Sequence, residues 1–163
     1  MRAFCVVILI LAFSLFVVRA VNLAEVDDVH PLIQCDAWIF EESEIVWIIP
    51  LFQNVSIADN QTWCKQILTL NKTMGMHGVH HTYNEFLTKR DATYLAQGIQ
   101  AFEQCFGVKP KLFKAPQLAL SRENAALLRG LGFEIHGKAR QVTHKVYHCE
   151  DTGKVGNAVI RLI

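Results

Sequence analysis

Between Met76 and Phe86 the chain reads MHGVHHTYNEF, which places three histidines within five positions. His77 and His81 stand four apart, and Gly78 between them frees the backbone to turn and aim both imidazoles at one point. Two neutral imidazoles and one carboxylate, with positions left open for water and substrate, make a catalytic divalent-metal site rather than a closed structural one. The adjacent pair Asp27-Asp28 offers that carboxylate, and either member can be the third ligand. The other would then stand unligated beside the ion, where it can accept a proton from an activated water. A third polar group, Lys114 in Phe113-Lys114-Ala115-Pro116, closes another apolar run. Taken singly, these are ordinarily a satisfied histidine, a solvated turn and a loop proline, so the case rests on whether the surrounding elements bring them together.

The elements do so if strands and helices alternate. Residues 22–29 (NLAEVDDV) read as a short buried strand ending in the aspartates, and 45–52 (IVWIIPLF) as a strand covered on both faces. Residues 59–71 have helical spacing behind a capping Asp or Asn, and 73–79 lead as a strand into the histidines. Residues 88–106 form an amphipathic helix that Thr88 can cap and Gly107 stops. A strand at 111–115 precedes a helix at 121–131 capped by Ser121 and stopped by Gly132. Residues 133–136 and then 142–149 complete the series, the latter as one last strand. This order predicts an α/β architecture with parallel strands whose functional residues collect at the strands' C-terminal ends. Asp27-Asp28, His77 to His81 and Lys114 to Pro116 all lie at such ends.

With the order and spacing laid out, the sequence resembles the polysaccharide deacetylase superfamily, and within it a divergent branch of uncharacterised deacetylase-like proteins. The likeness rests on the Asp27-Asp28 pair, a strand ending in Ile49-Pro50, His77-Gly-Val-His-His81, Phe113-Lys-Ala-Pro116, and the Leu131-Gly-Phe133 helix end. It covers most of residues 25–133 and fades from Glu134 onward. The resemblance implies a (β/α) barrel, distorted or incomplete, of parallel strands with outer helices. It implies that Asp27 is the general base, that Asp28, His77 and His81 hold a divalent metal, usually zinc, and that acetyl groups are removed from N- or O-acetylated glycans. His80 would point elsewhere. Two departures accompany it. The family places an arginine where Lys114 stands, and lysine supplies the charge without the forked geometry. The family's late histidine, which protonates the leaving amine, has as counterparts here only His136, His144 and His148. Of these, His148 is favoured, since it lies on the last predicted strand with Asp151 near enough to raise its pKa. A full barrel needs roughly 200 residues or more, so a barrel short or truncated at its C-terminus is expected. Lys114 and Pro116 are expected to bind substrate or orient the base, and the alternative reading is a weak or inactive relative that binds carbohydrate.

Composition sets the compartment. Residues 1–20 (MRAFCVVILILAFSLFVVRA) combine a basic start, an unbroken apolar stretch and a small-residue pattern before Val21, which reads as a signal peptide cleaved after Ala20, the alternative being an uncleaved membrane anchor, since the apolar run is near the lower limit for spanning a bilayer. Residues 21–163 are then one deacetylase-like domain. Without Arg2 and Arg19 the chain has fourteen basic against fifteen acidic residues, which leaves no basic excess for nucleic acid, and once the signal is cleaved no stable membrane insertion is expected. Three glycosylation acceptors, Asn54, Asn60 and Asn71, fall within eighteen residues and favour secretion to the extracellular space. Cys35, Cys64, Cys105 and Cys149 allow two disulfides in any of three connectivities. The expected partner is an acetylated oligo- or polysaccharide.

Overall fold

The computed structural model describes residues 2–162. Helix α1 (Arg2–Val21) is apolar all round and exposes Phe4, Leu9 and Phe13. It meets the body of the molecule at its end, where Arg19 donates to the Val142 carbonyl at 3.1 Å and, just beyond, Asn22 donates to that of Thr143 at 2.9 Å. There follow β1 (Ala24–Val29), α2 (Ala37–Glu42), β2 (Ser43–Ile48), β3 (Leu51–Phe52), β4 (Val55–Ser56), α3 (Gln61–Thr69) and β5 (Thr73–His77). The second half runs α4 (Ala92–Phe106), β6 (Leu112–Lys114), α5 (Arg122–Gly130), β7 (Glu134–His136), α6 (Lys138–Thr143), β8 (Val146–His148) and α7 (Val155–Leu162).

Six strands form one parallel sheet in the order β7-β6-β5-β2-β1-β8. Alternation along the strands divides its two faces. Val26, Ile48 and Val46 point outward onto helices α3 and α4 with Phe102 and Phe106, while Met76 and Phe113 pack with Leu128 and Phe133 beside α5. The intervening residues line the inner, concave face, and there the sequence turns polar: Glu25 and Asp27 on β1, His77 on β5, Lys114 on β6, His136 on β7. Trp47 of β2 crosses this interior, and a Cβ on the facing Gly75 would collide with its indole. The barrel is not closed. Strands β7 and β8 are the two edges, and the segment carrying α6 joins them.

Several boundaries differ from the sequence reading for physical reasons. The apolar run 45–52 breaks at Pro50, which has no N–H for the ladder, and Leu51–Phe52 instead pair antiparallel with Val55–Ser56. The helix expected from 88 begins at Ala92, because Asp91 rather than Thr88 caps it, accepting from the Tyr94 N–H at 2.8 Å. Residues 142–149 are not one strand: α6 ends at Thr143, and β8 occupies only Val146–His148. Ser121 caps α5 and Gly107 stops α4 as expected. The disulfides join Cys35 to Cys149 and Cys64 to Cys105, which ties the loop after β1 to the end of β8, and α3 to α4.

Candidate functional site

Consecutive strand residues face opposite ways, so two adjacent aspartates cannot both serve one site without a break in the strand. The break is present. Asp28 has a left-handed φ of 63°, and the register of β1 on β2 slips between Val26 and Val29. This bulge turns the second carboxylate to the same side as the first, and aspartate is among the few side chains that tolerate the conformation. His77 ends β5, where its Nδ1 lies 3.0 Å from the Lys114 carbonyl oxygen. That oxygen can only accept, so Nδ1 carries the proton and Nε2 presents its lone pair. The Nε2 atoms of His77 and His81 stand 3.4 and 2.9 Å from the same oxygen, Asp28 Oδ1.

These ligating atoms of Asp28, His77 and His81 all lie within 4.8 Å of one another. Two imidazoles and a carboxylate, with one imidazole fixed in the ligating tautomer by a carbonyl behind it, fit a zinc-type cation with open positions. Burial opposes charge on Asp28, but the hydrogen bond with His148 leads the effects that prevail and hold its carboxyl well below the usual carboxylate range.

The turn carrying the histidines is held by a residue the sequence reading left without a role. The buried Glu85 carboxylate accepts from three successive backbone N–H groups, those of Val79, His80 and His81, at 2.9–3.0 Å. It also accepts the Tyr94 hydroxyl at 2.6 Å. Gly78 makes room for it: at φ 69°, a Cβ there would collide with Glu85 Oε2 and with the Pro116 ring. Gly78→Ala is therefore expected to cost roughly 3 kcal/mol or more in chemical denaturation, from left-handed strain plus the collision. Glu85→Gln turns an amide donor toward backbone donors. It is expected to lose about 2–4 kcal/mol of stability and about 10–100-fold in zinc affinity, the latter read by competition with a chromophoric chelator.

Asp27 lies beside this centre, its Oδ2 3.9 Å from His77 Nε2, and Lys114 donates to its other oxygen at 2.8 Å. His148 faces the site from the neighbouring strand, paired in register with Asp27. Its Nδ1 lies 3.0 Å from Asp28 Oδ2. Burial lowers the His148 pKa, but the carboxylates of Asp28 and Asp27 outweigh that and raise it. The cause thus differs from the one expected, because Asp151 pairs with Lys154 instead. The backbone of His148 is bracketed by Asn157 of α7, whose amide accepts from its N–H at 2.9 Å and donates to its carbonyl at 2.7 Å. His136 is buried beneath the site against Trp47, and His144 turns toward Thr143. Pro116 packs under Gly78 rather than on the cavity wall, and the His80 ring lies beside Tyr94. The groups converge on an open cavity of about 350 Å³ walled by Asp27, Asp28, His77, His81, Lys114 and His148, with Gln117, Leu118, Gln141 and Glu150 toward its rim.

Three functional neighbours, Glu25, Glu85 and Asn157, were not read from the sequence. Period-two alternation in Ala24–Val29 places Glu25 on the face of Asp27 and was a usable signal. Glu85 stood in the histidine stretch, but nothing in its spacing announces a backbone clamp. Asn157 lies on a helix that the sequence reading did not include.

No family model and no curated protein matches this sequence. Solved structures do. The CE4 domain of a multidomain xylanase from the hindgut metagenome of Trinervitermes trinervoides aligns over 85% of this chain and 77% of its own, at 13% identity and a TM-score of 0.56. A CE4-family pseudoenzyme from Bacillus anthracis aligns over 72% of this chain at 13% identity and a TM-score of 0.54, and this chain spans only half of its length. The Bacillus cereus polysaccharide deacetylase aligns over 72% of this chain and 71% of its own, at 12% identity and a TM-score of 0.52. At such identities the likeness is one of architecture. The chain carries the fold of the CE4 polysaccharide deacetylases, in a divergent form whose six-stranded parallel sheet stops short of a closed barrel.

Proposed function

We propose that this protein is a secreted, metal-dependent deacetylase that removes acetyl groups from N- or O-acetylated glycans. The observation that supports it most is the placement of an unligated carboxylate, Asp27, beside a three-ligand set on a fold shared with polysaccharide deacetylases. Asp28, His77 and His81 would hold the cation, zinc by the chemistry of the donors. When bound, such an ion acidifies water and polarises the acetyl carbonyl. Asp27 accepts the proton that the attacking water gives up, and Lys114 keeps its carboxylate turned toward the site. His148, across the cavity, returns a proton to the departing nitrogen or oxygen, which releases acetate and the free amine or hydroxyl.

Under this reading residues 1–20 are a signal peptide, residues 21–163 are the working domain, and Asn54, Asn60 and Asn71 carry glycans outside the cell. All three asparagines are exposed in turns or at a helix start. A catalytically weak, carbohydrate-binding role is the second reading, favoured by the lysine in place of a forked donor and by the pseudoenzyme among the similar folds. Acetate release from N-acetylated chito-oligosaccharides and from O-acetylated xylan, before and after chelation, decides between them. Release that chelation stops and zinc restores supports the hydrolase. Stoichiometric zinc with no release on either substrate overturns it in favour of the binding role.

A further inference from the structure

The polar interior beneath the site holds more groups than the reaction above employs. Glu25 lies one alternation below Asp27 on β1 and is fully buried. Its Oε2 accepts from Trp47 Nε1 at 2.8 Å and from Lys114 Nζ at 3.3 Å, and its Oε1 accepts from Arg140 at 3.4 Å. Burial raises its pKa, but His136, Lys114 and Trp47 together outweigh that and hold the carboxyl down at about 2, so Glu25 is an anion wherever the site works. Lys114 Nζ thus sits between two carboxylates of one strand, with the Trp47 ring 5.7 Å away.

An ammonium on a four-carbon stem is a rotatable point donor, and one acceptor leaves it free to swing. A guanidinium avoids this by gripping a carboxylate with two parallel N–H groups. Two acceptors at fixed spacing on one strand restrict an ammonium to the position that serves both. We propose that Glu25 is a positioning residue for the base: it pins the Lys114 ammonium against Asp27, while Trp47 and Arg140 hold Glu25 in place. Arg140 belongs to α6, the segment that joins the two sheet edges, and Gln141 beside it reaches the cavity rim. The element that bridges the open seam is therefore linked to the base through three ion pairs in series, Arg140–Glu25, Glu25–Lys114 and Lys114–Asp27.

Only the kinetic part of the test rests on the hydrolase reading. In Glu25→Gln one amide oxygen cannot serve Trp47, Lys114 and Arg140 together. The expected result is a kcat lowered about tenfold with KM within about twofold and zinc content unchanged, since the ligands are untouched. Combining it with Lys114→Met should add nothing to the loss from Lys114→Met alone, because Glu25 acts through the lysine. The second readout is the side-chain ammonium signal of Lys114 in 15N-labelled protein, assigned by its disappearance in Lys114→Met. It should be protected from solvent exchange in the parent and lost or shifted in Glu25→Gln. An unchanged ammonium signal overturns the proposal whether or not the parent releases acetate, and so does a kinetic loss that adds in full to that of Lys114→Met. If Glu25→Gln fails to fold, Arg140→Gln at a half-exposed position carries the same test: a loss of about threefold in kcat with a weakened Lys114 signal is expected, and no change in either overturns it.

Discussion

Replacing His77 and His81 together by alanine is expected to abolish both metal and activity. The parent, purified from a secreting host, should contain about one zinc per chain by elemental analysis, and the double variant none, because a single carboxylate does not retain a dilute cation. Acetate release should fall to the uncatalysed background, since the water then keeps its ordinary acidity. Folding should survive, because the turn that carries the histidines is held through its backbone by Glu85 and not by the imidazoles. Circular dichroism of the double variant checks this. Absence of metal from the parent as well would remove the hydrolase reading altogether, whatever the fold.

Asp27→Asn separates the base from the metal. An asparagine is nearly the same size and can still accept from Lys114 through its carbonyl oxygen, but it cannot take a proton from water. A positioned general base contributes about 10²–10⁴-fold, and a loss in kcat of that order is expected with zinc content unchanged. Glu25 remains to neutralise Lys114, so the buried ammonium is not stranded and the fold should tolerate the change. Loss of zinc in this variant would assign Asp27 to the metal and contradict the division of labour between the two aspartates. A preserved rate would show that the proton goes elsewhere.

The fold class and the convergence on one end of the sheet were legible because strand and helix patterns alternate clearly from Ala24 to Phe133. The paired aspartates, the histidine turn and the strand ending in Lys114 could be placed at strand ends from local pattern alone. What the sequence did not disclose were matters of backbone geometry and long-range contact. Nothing in Val26-Asp27-Asp28-Val29 announces the left-handed residue that brings both carboxylates to one side. The alternation of Glu25 with Asp27 was present, but a glutamate inside a barrel looks improbable until Lys114, Trp47 and Arg140 are seen around it. The last part of the chain differs from the reading because β8 is only three residues long, too short to show an alternation, and is held by burial of Val146 and Tyr147, by Asn157 and by a disulfide.

Strand β8 has a consequence for how the molecule is made. Among the described strands it comes last in the chain, yet it pairs with β1, and Asp28 and His148 are separated by 120 positions. Contacts of that span form late in folding, after local hairpins and helices have already collapsed. Before that pairing forms, Asp28, His77 and His81 can already be gathered while His148 is not yet opposite them. The bond from Cys35 to Cys149, which closes a span of 114 residues, is what makes that final pairing durable. Production under reducing conditions should thus leave β8 loosely held, which faster backbone amide exchange over Val146–His148 would report.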